Sequence, residues 1–282
     1  MTILVTGAKG MIGSQLVNGL LDHGYKVVGV DRVGEDYTKD NYVFCNLDLA
    51  DVDKLNKIIS DNDVDRVIHL AALAHRNGNE DLSWERYKHI NVDCAKNVFE
   101  AAQGRPLLFI STVDVYGFYD GKSPVNGNTE PHPVSNYGKS KVLAETECKK
   151  FNNFTIFRFS PVYTSSVTRD IQKRYYLKYP KIAYKVGKGT AFEILNINKA
   201  VSSMVNWCSE NPANDIRIIK DDEMMWTPDY IAAEKEKGNA KIVFWFPRWL
   251  VNFGYLTLKT ILGKNEKTYL INKAVHPLRS EN

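Results

Sequence analysis

Thr6-Gly7-Ala8-Lys9-Gly10-Met11-Ile12-Gly13 follows the apolar run Ile3-Leu4-Val5 and leads into Leu16, Leu20 and Leu21, a helical pattern that stops near Gly24. The order is strand, glycine turn, helix. Glycines spaced G-x-x-G-x-x-G make a tight turn and bring backbone N–H groups up to a pyrophosphate at the helix N-terminus, where the macrodipole favours negative charge. The stretch therefore predicts a dinucleotide-binding βαβ unit. A second strand over 26–30 ends on Asp31, about twenty residues beyond the glycines, where a carboxylate can bind adenosine ribose hydroxyls. Asp31 favours NAD. Lys9 in the turn and Arg32 next door could partly offset that carboxylate, which leaves NADP open.

Outward from this unit, apolar strands over 42–45, 67–72, 107–110 and 155–159 alternate with helical patterns over 52–59, 82–103 and the segment after Ser135. That rhythm predicts an α/β chain: a Rossmann-type doubly wound parallel sheet over 1–163 and a smaller C-terminal substrate-binding lobe over 164–282. His69, within an apolar strand, is expected to be a hydrogen-bonded core residue. His75 and Arg76 lie past that strand's carboxyl end, where parallel sheets bind ligands. Asn91 is the one notable polar residue of the 82–103 helix, and solvation would account for it.

The segment Ser135-Asn136-Tyr137-Gly138-Lys139-Ser140-Lys141 carries the candidate chemistry. Tyr137 and Lys141 are four apart, so on a helix capped by Ser135 they leave one face a turn from each other. A nearby ammonium favours the phenolate, which makes Tyr137 a candidate acid/base. The hydroxyls of Ser111 and Thr112 stand at the carboxyl end of the fifth strand, where they can bond a substrate oxygen or satisfy loop backbone. Further on, Arg169, Lys173 and Arg174 open a basic stretch interleaved with Tyr175, Tyr176, Tyr179 and Tyr184, a pattern suited to a pyrophosphate and a flat base.

Across its 282 residues the chain is 44% hydrophobic and 25% charged, with net charge +4, ordinary for a soluble globular protein and too weakly basic to indicate nucleic acid. Cys45, Cys94, Cys148 and Cys208 are widely spread without a C-x-x-C pair, so they read as packing residues rather than a metal site or disulfide framework. No signal-peptide pattern opens the chain, and the cytoplasm is the expected location. The apolar segment 242–262 is too broken by Pro247, Arg248, Asn252 and Lys259 to span a membrane. Because Arg248, Asn252, Tyr255 and Lys259 fall on one helical face, a core helix is expected there rather than an interfacial one.

Thr6-Gly7-x-x-Gly10-x-x-Gly13, Asp31, Asp48-Leu49, His69-Leu70-Ala71-Ala72, Asn91-Val92, Ser111-Thr112 with Val115-Tyr116-Gly117, and Tyr137-x-x-x-Lys141 together resemble the extended short-chain dehydrogenase/reductases. Within them the chain is similar to the nucleotide-sugar epimerases and reductases. The resemblance covers about residues 1–163. It implies Tyr137 as acid/base, Lys141 bonded to the nicotinamide ribose, and Thr112 bonded to the reacting oxygen. It implies cofactor contacts from Gly7, Gly10, Met11, Ile12, Gly13, Asp31, Arg32, Asp48, Leu49, Ala71, Ala72, Asn91 and Ser111, and from Tyr137 and Lys141 themselves. His75, Asp114, Arg169, Lys173 and Arg174 are the expected substrate contacts; no metal and no nucleic acid is expected, and a homodimer is compatible with the pattern.

The chain departs from the family in three places. Thr112-Val113-Asp114 stands where dehydratases carry Thr-Asp-Glu, Pro161 where relatives have Asn before Val-Tyr-Gly, and Ile197-Asn198-Lys199 in place of Val-x-Asp. Dehydration is disfavoured, and a chain shorter than typical epimerases suggests a reduced substrate lobe. The expected activity is reduction of a 4-keto sugar nucleotide in surface-polysaccharide precursor synthesis. A nucleotide-sugar 4-epimerase is the alternative, and a non-catalytic NAD(P)-binding sensor or scaffold is the alternative of another class.

Overall fold

A computed structural model describes residues 1–74, 83–165, 169–178 and 182–281. The first half alternates β1 (Thr2–Thr6), α1 (Met11–Asp22), β2 (Lys26–Asp31), β3 (Tyr37–Lys39), β4 (Tyr42–Asn46), α2 (Val52–Asp61), β5 (Arg66–His69), α3 (Trp84–Lys88), α4 (Cys94–Ala102), β6 (Leu107–Thr112), α5 (Asn136–Cys148) and β7 (Phe154–Phe159). The second half holds β8 (Val162–Tyr163), α6 (Arg169–Gln172), β9 (Tyr176–Lys178), β10 (Ile182–Val186), β11 (Ala191–Phe192), β12 (Leu195–Asn196), α7 (Ile197–Trp207), β13 (Asp215–Ile219), β14 (Met225–Trp226), α8 (Thr227–Glu236), β15 (Ile242–Phe246), α9 (Arg248–Leu262) and α10 (Glu266–Val275).

Eight strands form the main sheet in the order β13-β7-β6-β5-β1-β2-β4-β3, parallel except for the β3–β4 edge. Alternate residues of one strand feed opposite faces. Ile3 and Val5 pack with Leu16, Val17 and Leu20 of α1 and Met204 and Val205 of α7, whereas Leu4 packs with Leu55 of α2, Val98 and Phe99 of α4 and Ala144 of α5. Helices therefore cover both faces, and a strand buried on both sides carries an unbroken apolar run, as β1 does in Ile3-Leu4-Val5. The neighbours β5 and β2 flank β1, and the order reverses there, so the crevice at the carboxyl ends opens beside the glycine turn.

Three expectations change. β13 joins the main sheet beside β7 and α7 packs on α1, so the chain returns to the first layer after residue 163. The expected helix over 82–103 is α3 and α4 joined by a π-helical turn, His89–Asp93. The segment 242–262 breaks at Pro247 into β15, which pairs in parallel with β10, and α9. α9 is not a core helix: of its fifteen residues only Tyr255 is buried, and its apolar side faces outward. A smaller core of Ile171, Tyr175, Tyr176, Phe192, Ile194 and Met225 holds the second lobe.

Candidate active site

The glycine turn is built by contact. Gly7 adopts φ +73°, and a Cβ there would lie 2.8 Å from the Ala71 backbone nitrogen; a Cβ on Gly13 would lie 2.0 Å from the Gly7 carbonyl oxygen. Both positions exclude a side chain sterically. Gly10 differs, because a Cβ would meet only the Gly7 carbonyl oxygen at 3.2 Å, and the residue is exposed at the start of α1. No side chain caps α1, so its first N–H groups point into the crevice. Asp31 ends β2 with Oδ2 accepting from the Lys9 backbone N–H at 3.0 Å. The Lys9 ammonium lies 4.3 Å from the Phe44 ring centroid and 5.1 Å from that of Tyr37, so its charge rests on aromatic faces.

Ser135 caps α5 by accepting from the Gly138 N–H at 2.9 Å, so Tyr137 and Lys141 share a helical face as expected. Tyr137 is half-buried with its ring 6.4 Å from that of Tyr87. Lys141 is 2% exposed, and its ammonium lies 4.2 Å over the Phe109 ring of β6, the strand that ends on Thr112. Burial lowers Lys141 from its usual range to about 7, against the opposing pull of Glu145. Thr112 accepts from the Asp114 N–H at 3.2 Å and so shapes the turn after β6.

The lowered lysine sets a stability prediction. Between about pH 7 and the lysine's unfolded value of 10.5 the unfolded chain holds a proton that the folded one lacks, so this group's destabilisation is full below pH 7 and fades as pH rises. Lys141→Met is expected to stabilise the unliganded protein at pH 7, and that advantage should shrink toward pH 8.5 by up to about 1.4 kcal/mol per pH unit. Urea midpoints of both proteins across the window check it.

Several expected contacts are spoken for by the protein itself. Asn91 is buried rather than solvated: its Oδ1 accepts from the Leu73 N–H at 2.7 Å, and its Nδ2 donates to the Leu73 carbonyl and to Ser140 Oγ, each at 2.9 Å. It ties the loop after β5 to α5. Ser111 donates its hydroxyl to Glu145 Oε1 at 2.6 Å. Asp114, an expected substrate contact, has Oδ1 filled by Tyr269 (2.8 Å) and Lys273 and Oδ2 by Ser135. Burial would raise its carboxyl, but Lys273 and these hydrogen bonds outweigh burial and hold it below the usual value. Three of the carboxylate's acceptor positions are therefore filled from within the protein.

His69 sits in the core as expected, its Nδ1 paired with Thr6 Oγ1 at 2.7 Å; burial, with Lys141 adding to it, pushes the imidazole down to about 3. Arg174 lies over the Phe192 ring at 4.8 Å, and Tyr175 and Tyr176 are lobe core rather than stacking platforms. Lys173 is exposed. His75, Arg76, Tyr179 and the side chain of Arg169 lie outside the described residues. Ala71 and Ala72 stand beside the glycine turn, where the Ala71 N–H reaches Thr6 Oγ1 at 3.4 Å. Met11 and Ile12 form the first turn of α1, Arg32 follows Asp31, and Asp48 and Leu49 follow β4, with Asp48 exposed. Among the described residues no cluster of His, Cys, Asp or Glu could hold a metal.

One feature was not read from the sequence. Glu145, a turn beyond Lys141, forms a two-pronged ion pair with Arg158 of β7, Nε to Oε1 at 3.1 Å and Nη2 to Oε2 at 2.7 Å, both residues 1% exposed. Arg158 Nη1 also donates to the Tyr116 hydroxyl at 2.8 Å. Glu145 at i+4 from Lys141 and an Arg inside an apolar strand were its only signals.

A glycine turn at a sheet switch point, an acidic end to β2 and a Tyr-x-x-x-Lys helix beside a strand ending in Thr define a Rossmann-fold protein of the extended short-chain dehydrogenase/reductase class. The chain belongs to the NAD dependent epimerase/dehydratase family, whose sequence model matches residues 3–200. It is 29% identical over 183 residues to Protein CapI of Staphylococcus aureus, covering 58% of this chain and 54% of CapI. It is 32% identical over 173 residues to the Putative UDP-glucose 4-epimerase of Methanocaldococcus jannaschii, covering 57% and 56%. The chain thus spans about half the length of these curated relatives. Similar solved structures are MoeE5 in complex with UDP-glucuronic acid and NAD (TM-score 0.69, 20% identity, 100% of this chain and 94% of that one) and the UDP-glucuronic acid 4-epimerase of Bacillus cereus with UDP-glucuronic acid and NAD (0.68, 24%, 88% and 86%). At these identities the likeness shows the fold.

Proposed function

We propose that the protein is an NAD-dependent 4-epimerase of a nucleoside-diphosphate sugar, serving surface-polysaccharide precursor synthesis. The observation that supports this reading is α5, on which half-buried Tyr137 stands one turn before buried Lys141, whose ammonium lies over the Phe109 ring of β6. Of the two reactions expected from the sequence, the names of the curated relatives, UDP-arabinose and UDP-glucose 4-epimerases among them, favour epimerisation over 4-keto reduction. Asp114, bound on both oxygens, is not placed to act as the acid of a dehydration.

The glycine cradle fits a dinucleotide, because Gly7 and Gly13 are closed to a Cβ while the uncapped start of α1 is open. Gly10, Met11 and Ile12 would hold the pyrophosphate, Asp31 the adenosine ribose, and Lys141 the nicotinamide ribose. NAD supplies, when bound, a hydride acceptor for the sugar's C4 and a donor for its return. Tyr137 takes the proton from the C4 hydroxyl and later gives it back. Lys141, when charged, favours the phenolate, and the Thr112 hydroxyl bonds the reacting oxygen.

The test is incubation of the purified protein with a panel of UDP- and dTDP-sugars in the presence of NAD and, in parallel, with their 4-keto forms in the presence of NADH. Appearance of the C4 epimer with no net change in NADH supports the proposal; stoichiometric NADH consumption on a 4-keto sugar restores the reductase, and turnover of neither leaves a binding protein. For the cofactor, Kd is expected to favour NAD over NADP, and Asp31→Ala should narrow the gap. A tenfold preference of the wild type for NADP, about 1.4 kcal/mol, would overturn the role given to Asp31.

A further inference from the structure

α9 is inside out for a helix on a globular protein. Its polar stripe faces the body: Tyr255 is buried with its hydroxyl accepting from Asn272 Nδ2 at 3.0 Å, Arg248 Nη2 donates to the Gly189 carbonyl at 2.9 Å, and the Lys259 ammonium lies 5.6 Å from the Tyr255 ring centroid. The Asn252 Oδ1 is also buried, with no hydrogen-bond partner among the described residues. The opposite stripe is open to water, with Trp249 70%, Phe253 66%, Leu256 58% and Ile261 72% exposed. Soluble proteins rarely leave this much contiguous apolar side chain in water without a partner for it.

Charge and length identify the occupant. Within residues 241–267, Arg248 and Lys259 belong to the inward stripe, while Lys241, Lys264 and Lys267 flank α9 against the single acid Glu266, and α9 itself has no acid. A second copy would bring the same positive rim against itself, whereas anionic lipid complements it. The fifteen residues of α9 extend roughly 22 Å. That is short of the roughly 20 residues a spanning helix needs, and no helix among the described residues is long and apolar enough to cross. Trp and Phe on the open stripe with basic residues at the margins are the composition of a helix lying in the headgroup plane.

We propose that α9 docks the protein on the surface of an anionic membrane. The full chain is sedimented with vesicles of phosphatidylcholine alone and of phosphatidylcholine containing about one third phosphatidylglycerol, an anionic lipid. It is expected to pellet with the second, less so as salt is raised, and to stay in solution with the first. Combining Trp249→Ser, Phe253→Ser and Ile261→Ser, which touch no residue of the candidate active site, should lower the vesicle partition by about tenfold or more, with circular dichroism and melting temperature held near wild type. Wild type remaining in solution with the phosphatidylglycerol vesicles overturns the proposal. So does a wild-type dimer in light scattering that the triple variant converts to monomer, because the stripe then belongs to a second copy.

Discussion

Tyr137→Phe is expected to slow turnover of the nucleotide sugar by about 10²- to 10⁴-fold, the usual contribution of a positioned acid/base, while NAD Kd stays near wild type. The substitution keeps the ring where α5 and Tyr87 hold it and removes only the hydroxyl. Binding and chemistry therefore separate: the pyrophosphate cradle and Asp31 lie on other elements, β1, α1 and β2, and the change does not reach them. Single-turnover rates and equilibrium titration with NAD check both halves. A variant as fast as wild type would remove Tyr137 from the chemistry and require another acid in the crevice; one that also loses NAD would mean that the helix itself had moved.

Glu145→Gln is expected to destabilise the fold by about 3–5 kcal/mol, the cost of leaving a buried charge without its partner. Arg158 is 1% exposed, cannot shed its proton, and would keep only neutral acceptors: the single amide oxygen of the new side chain, the Tyr116 hydroxyl and the Gly127 carbonyl. The pair also joins α5 to β7, so the same change should loosen the helix that carries Tyr137 and Lys141. Replacing both partners, Glu145→Leu with Arg158→Met, removes the charge together with its counter-charge and should recover much of the loss. Urea denaturation of the three proteins is the measurement. A loss under about 1 kcal/mol for Glu145→Gln would place the pair in water despite its burial.

How much was legible in the sequence depends on the reach of each interaction. The glycine turn was legible because a strand, a tight turn and a helix are contiguous and the sterics act within a few residues: Gly13 meets Gly7. Tyr137 and Lys141 were legible because helical geometry alone places residues four apart on one face. The surroundings of Asp114 were not, because its partners Tyr269 and Lys273 come from α10 at the far end of the chain and leave no local mark. Asn91 was misread for the same reason, since a mid-helix amide looks solvated until Leu73 and Ser140 are seen around it.

The sequence by itself determined the Rossmann layer, the cofactor turn and the Tyr-Lys helix, all of them set by periodicity and short-range sterics. Only the tertiary structure decided which side of α9 meets the protein. Arg248, Asn252, Tyr255 and Lys259 form one stripe and Trp249, Phe253 and Leu256 the other whichever way the helix is turned, and an amphipathic pattern is silent on which stripe its neighbours can satisfy. Here the body offers polar partners, the Gly189 carbonyl and Asn272, so hydrogen bonding draws the polar stripe inward and leaves the apolar one facing out.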